Sequence, residues 1–164
     1  MKIVVVGLGN PVLTDDAAGI RISEALREKI ANKIPGSVTV QIFQDEVGGW
    51  DIIDLAEGFD ILILVDAMTD PALKPGELKW YPHGAFSSIR LSGIHSMDVF
   101  TALDFAKKHG VKVPEKVLVL GVGVNDILTF SEQLTPEVEA VIETGADRVL
   151  QKILSLTPAG GLFQ

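Results

Sequence analysis

MKIVVVGLGNPVLTDDAAG, residues 1–19, decides the architecture of this chain. Ile3 to Val6 is an apolar run without alternation, as in a strand covered on both faces of a parallel sheet. Gly7 and Gly9 then let the chain turn sharply and let another group approach the backbone closely. Thr14, Asp15 and Asp16 read as cap and first-turn residues of a helix that follows. An acid there gains from the helix dipole, so a well-capped helix start explains it without any chemistry. The alternative is that the carboxylates face the crevice at the carboxyl end of the first strand, where open α/β sheets bind their ligands.

The rest of the chain repeats the alternation. Helix one is expected over 15–30, with Ile20, Ile22, Leu26 and Ile30 forming an apolar face that Pro35-Gly36 ends. Strand two is expected over 37–43 and a short helix over 50–56. Strand three is expected over 60–65, closed by Asp66; its Ile61-Leu62-Ile63-Leu64-Val65 run is again continuous. An edge strand over 77–81 precedes an irregular, mobile stretch over 82–93. Helix three is expected over 96–108, ended by His109-Gly110. Strand five follows over 116–122, and helix four over 136–154, capped by Thr135 with Pro136 in its first turn. Strands alternating with helices indicate a three-layer α/β/α sandwich around a mostly parallel, about five-stranded sheet. No repeat or linker divides the chain, so a single domain over 1–156 with a loose tail over 157–164 is expected.

Composition narrows the function. The chain has 164 residues, 47% apolar, enough for one domain with a substantial core. No apolar run reaches the roughly 18 residues of a membrane helix, and no secretory signal is read, so a cytoplasmic protein is expected. Without cysteines, disulfides, thiolate metal sites and cysteine nucleophiles are excluded. A net charge of −8 argues against a nucleic-acid partner. It suits solubility, or a basic or metal-bearing partner.

Three polar residues stand at topologically similar places. Asp16 follows strand one, Asp66 ends strand three, and His95 precedes helix three. No local metal motif has such wide spacing. Strand-end residues of a parallel sheet nonetheless converge on one rim, where two carboxylates and an imidazole can face one ion such as nickel, zinc or iron. Each also has an ordinary explanation: a helix first-turn acid, a loop-capping acid and a satisfied loop histidine. Gly121-Val122-Gly123 with Asn125-Asp126 ends strand five on the same rim, as cleft lining or as a plain turn. Trp50 and Trp80 are packing residues or partner contacts.

Gly7-Leu8-Gly9-Asn10 followed by Leu13, Asp15, Asp16 and Gly19 resembles the opening signature of the hydrogenase maturation endopeptidases. Val65-Asp66-Ala67 is similar to that family's aspartate motif, and Gly93-Ile94-His95-Ser96-Met97-Asp98 to its histidine segment. The resemblance implies an enzyme that trims the C-terminal extension from the large-subunit precursor of a nickel–iron hydrogenase. It implies that Asp16, Asp66 and His95 recognise nickel and act in cleavage. It also implies that the nickel is supplied by the precursor, so the protein holds no tightly bound cofactor of its own. Asp45 with Gly48-Gly49 resembles the segment lining the substrate cleft, and the Gly9-Asn10 turn would complete it. The first-motif acid is aspartate here, where some members carry glutamate, and Glu46-Val47 precedes the two glycines.

Three other readings remain open at this point. A maturation chaperone that binds without cutting would use the same triad. Gly7-Leu8-Gly9 also begins a dinucleotide fingerprint, but residue 12 is valine and Asp15-Asp16 would repel a pyrophosphate. Val6-Gly7-Leu8-Gly9-Asn10-Pro11 further resembles peptidyl-tRNA hydrolase, whose catalytic histidine has no counterpart near residue 20.

Overall fold

The computed structural model describes residues 1–45, 50–82 and 99–157. The valine run forms β1 (Lys2–Leu8), the second strand of a five-stranded sheet. Its neighbours are β2 (Thr39–Asp45) on one side and β3 (Ile61–Met68) on the other, both parallel to it. β5 (Lys116–Gly123) pairs in parallel with β3. The short β4 (Leu78–Pro82) closes the margin antiparallel to β5. The order is β2-β1-β3-β5-β4. From β1 the chain first moves to one side and then returns to the other. The carboxyl ends of β1 and β3 therefore flank the point where strand order reverses, which is where such sheets open a crevice.

Unbroken apolar runs build two cores from one sheet. Ile3 and Val5 of β1 and Ile61, Ile63 and Val65 of β3 face one layer with α1 (Ala18–Lys29) and α5 (Ile142–Leu156). Val4, Val6, Leu62 and Leu64 face the other, with α2 (Trp50–Ala56) and α3 (Val99–Lys108). Each buried Ile, Leu or Val side chain contributes about 1.5–3 kcal/mol. The result is the expected α/β/α sandwich. Among the described residues no helix is long and apolar enough to cross a membrane.

Four details depart from expectation. Thr14–Ala17 forms a separate 3-10 turn before α1 begins, so the two acids lie outside the α-helix. Asp66 does not close β3; it lies inside it, paired with Gly121, because Ala67 and Met68 are buried and extend the ladder. Strand two runs over 39–45, so Asp45 belongs to it and sits beside Leu8 at the carboxyl rim. The last helix is split into α4 (Pro136–Glu139) and α5, with Val141 at φ −109° between them. The first turn is tied to Asp15 while α5 packs along α1, and the break lets each part follow its own contact. Expectations for Gly48, Gly49, His95, the stretch after Pro82 and the tail after Thr157 lie outside the described residues.

Surface polar contacts hold the margins. Lys29 on α1 meets Asp147 at 2.7 Å and Glu143 at 2.9 Å on α5. Arg27 donates to the Ile42 carbonyl of β2 (3.0 Å), and Arg148 to the Leu78 carbonyl of β4 (2.8 Å). Trp80 is half-buried against the core with Lys152 over its ring, a packing role.

Candidate active site

Glycines decide where the acids sit. A Cβ on Gly7 would strike the Gly19 carbonyl and Ser23; one on Gly19 would strike the carbonyls of Val65 and Leu8. Gly9 adopts φ +138°, and a Cβ there would run into the Asp16 carbonyl. Apart from Ser23 these contacts are backbone, so side-chain movement does not relieve them. The sequence thus draws the 3-10 turn and the start of α1 down onto the ends of β1 and β3. Asp15 and Asp16 are both carried into the protein, at 0% and 6% exposure.

The two neighbours have different surroundings. The Asp15 carboxylate accepts Thr135 N–H at 2.8 Å and the Thr135 hydroxyl at 2.9 Å, with Asp126 N–H at 3.3 Å and Asn125 N–H more weakly at 3.5 Å. It is a clamp joining the turn to the start of α4. Neither acid is the N-cap of α1, which is Ala17; both stand in the first turn of the 3-10 segment that leads into it. Asp16 Oδ2 accepts the Asn10 N–H at 2.8 Å, and the Asn10 side chain in turn accepts Val12 N–H at 3.1 Å. Gly9 and Asn10, expected at the substrate cleft, are thus seen shaping the turn that holds Asp16.

Asp66 points to the α2–α3 side of the sheet, the parity of Leu62, Leu64 and Met68. It is 2% exposed, and among the described residues its Oδ1 has no hydrogen-bond partner. Burial holds its carboxyl well above the ordinary carboxylate value. The charge of Asp16 pushes the same way, and the Ala67 backbone N–H offsets only part of this. The structure therefore brings Asp16 and Asp66 into electrostatic contact. His95 precedes α3, which packs on the same face, but itself lies outside the described residues. Among the described residues no cluster of three His, Cys, Asp or Glu is placed to hold a metal; two carboxylates are what this part of the rim offers.

Buried acids at the turn disfavour the nucleotide reading, since a pyrophosphate would meet them where it needs free N–H groups. Asn125 and Asp126 form a turn rather than a free lining. Asp126 Oδ1 accepts Leu128 N–H and Thr129 N–H, and Thr129 with Leu128 holds its carboxyl below the ordinary value. Sequence reasoning missed the Asp15–Thr135 clamp; its only signal was Thr135 as a helix cap, 120 residues away.

A family model described as hydrogenase maturation protease matches residues 20–152. The hydrogenase 2 maturation protease of Escherichia coli strain K12 is 32% identical over 155 residues, covering 92% of this chain and 89% of that protein. The chain belongs to the hydrogenase maturation protease family. Its fold also matches the solved hydrogenase maturating endopeptidase HybD from E. coli, with TM-score 0.76 at 28% identity over 94% of this chain and 93% of that one. A [NiFe] hydrogenase maturation protease HybD from Thermococcus kodakarensis, 20% identical, shares the fold with TM-score 0.70 over 93% of this chain and 99% of that one. Family membership supports peptidase activity.

Proposed function

We propose that the protein is an endopeptidase that removes the C-terminal extension of a nickel-loaded hydrogenase large-subunit precursor, with Asp16, Asp66 and His95 at the cutting site. One observation carries the reading: Asp16 in the turn after β1 and Asp66 within β3 are both buried near the switch point, and burial, then the charge of Asp16, hold the Asp66 carboxyl well above its ordinary value. Amide hydrolysis needs a base for the attacking water and an acid for the leaving amine. Unequal carboxyls supply both roles. Asp66 starts as the proton holder. Asp16, oriented by the Asn10 N–H, is the partner that accepts a proton from water.

Nickel belongs to the substrate in this reading. Carboxylates, with an imidazole from His95, are donors that suit it. A carboxyl must lose its proton to engage a cation. An arriving ion would therefore release the Asp66 proton, so the same pair serves a metal-assisted cut or an aspartic-type cut. Asp45, Gly48 and Gly49 are assigned to the substrate cleft. Nickel arriving on the precursor makes a tightly held cofactor unnecessary.

Intact-mass measurement tests this directly, using a C-terminally extended precursor mixed with the protein, nickel-loaded and nickel-free in parallel. Loss of one defined C-terminal peptide from the loaded form alone is expected. Binding of loaded precursors without any cleavage would replace the peptidase with a non-cutting chaperone.

A further inference from the structure

Apolar side chains stand outside the core beside this rim. Leu128 and Phe130 are 82% and 83% exposed, and Val12 is 39% exposed. Single exposed apolar residues are common, but these ride on a segment fixed from several sides. Asp126 caps Leu128 and Thr129; Thr14 Oγ1 donates to the Thr129 carbonyl at 2.6 Å. Thr14 N–H donates to Ser131 O at 2.9 Å, and Ser131 N–H to Val12 O at 3.0 Å. Asp15 holds both ends of the segment, through Asp126 and Thr135. Ordering a binding loop on association costs affinity, and here the ordering is built into the fold.

The segment continues into a charged groove. Arg21 donates to the Glu132 carbonyl at 3.3 Å, and from there a cavity of about 580 Å³ is lined by Arg21, Glu24, Glu28, Glu132, Glu139 and Glu143 among others. Apolar knobs therefore adjoin a strongly acidic hollow, and the segment that carries the knobs is anchored to Thr14 and Asp15, within two residues of Asp16.

We propose that Leu128 and Phe130, with this glutamate-lined groove, form the docking surface for the folded body of the protein substrate. The complementary face would carry an apolar depression bordered by basic side chains. This rests on the reading of Asp16 and Asp66 as the cutting site. The acids act on the tail, while this surface recognises the body and so selects which precursor is presented. A second copy of the chain is the poorer occupant. A two-fold interface centred on the patch would bring the acidic grooves together, in a chain of net charge −8.

Affinity and cleavage of the nickel-loaded, extended precursor should be measured for the wild type and for Leu128→Ser/Phe130→Ser. The double variant should raise Kd roughly ten- to a hundredfold, with the loss in KM rather than kcat. Its Tm should stay unchanged, because these side chains bury almost nothing. Added salt should weaken wild-type binding, and Glu132→Gln/Glu139→Gln should flatten that dependence. An unchanged Kd with normal cutting would overturn the docking surface and leave the peptidase reading intact. Patch-dependent binding without any cutting would support the surface and end the peptidase reading. A wild-type dimer that the apolar double variant converts to monomer, with precursor affinity unaltered, would assign the patch to self-association and also overturn the proposal.

Discussion

Asp15 and Asp16 are neighbours in one 3-10 turn, both buried, yet they end in opposite situations. At the Asp15–Thr135 junction, N–H and O–H donors converge on the carboxylate, and the acid acts as a fastener. At Asp66 the surroundings do the opposite: burial, and then the charge of Asp16, hold the carboxyl well above its ordinary value. A buried acid ringed by donors acts as a fastener, whereas one beside a second acid has its proton affinity raised. The residue type and the burial are the same; the neighbours differ.

The sharpest way to break this contrast is to neutralise each acid in turn. Asp66→Asn and Asp16→Asn should each reduce precursor cleavage by about a thousandfold or more in single-turnover assays, with the fold retained by circular dichroism. Near-normal cutting by either would remove that residue from the chemistry. Asp15→Ala should act on stability first. It leaves the Thr135 and Asp126 donors without their acceptor, at a cost of about 1–3 kcal/mol. That corresponds to roughly 3–10 °C in Tm by calorimetry. If Asp15→Ala melted like the wild type, the fastener would be idle.

Proton linkage sharpens the contrast further. The folded protein holds the Asp66 proton more tightly than the unfolded chain, whose value lies near 3.8. Stability contributed by this group is therefore full at low pH. It falls as pH rises from that value through the raised folded one, because the unfolded state then carries fewer protons. Asp66→Asn should remove this slope and raise Tm by a few degrees at neutral pH, measured by denaturation across pH. A variant less stable than the wild type at every pH would contradict a costly buried carboxyl. The exposed carboxylates at Lys29 complete the series: Lys29→Ala should shift Tm by less than about 2 °C, and less still in high salt.

Much of this was legible in residue order. The unbroken runs at Ile3–Val6 and Ile61–Val65 imply strands buried on both faces, and Gly7, Gly9 and Gly19 mark a close approach. The same pattern misplaces Asp66, since a buried carboxyl inside a strand looks like the strand's end. Nor does sequence separate Asp15 from Asp16. Their difference lies in Thr135 and in β3, partners that only tertiary structure brings near. Leu128 and Phe130 sit among Thr, Ser and Asp in a segment with no periodicity, and their exposure is set by the hydrogen bonds that fix the backbone beneath them.

The arginines at the sheet's two margins bear on how a peptide can enter. Strand addition requires free outward carbonyls on a margin. Arg27 occupies Ile42 O and Arg148 occupies Leu78 O. A strand added at those positions would have to share or displace the arginine's hydrogen bond. Under the proposed function, a substrate tail would be better accommodated lying across the strand ends than running alongside a strand, which would bring a backbone carbonyl over the acids instead of locking it into a ladder.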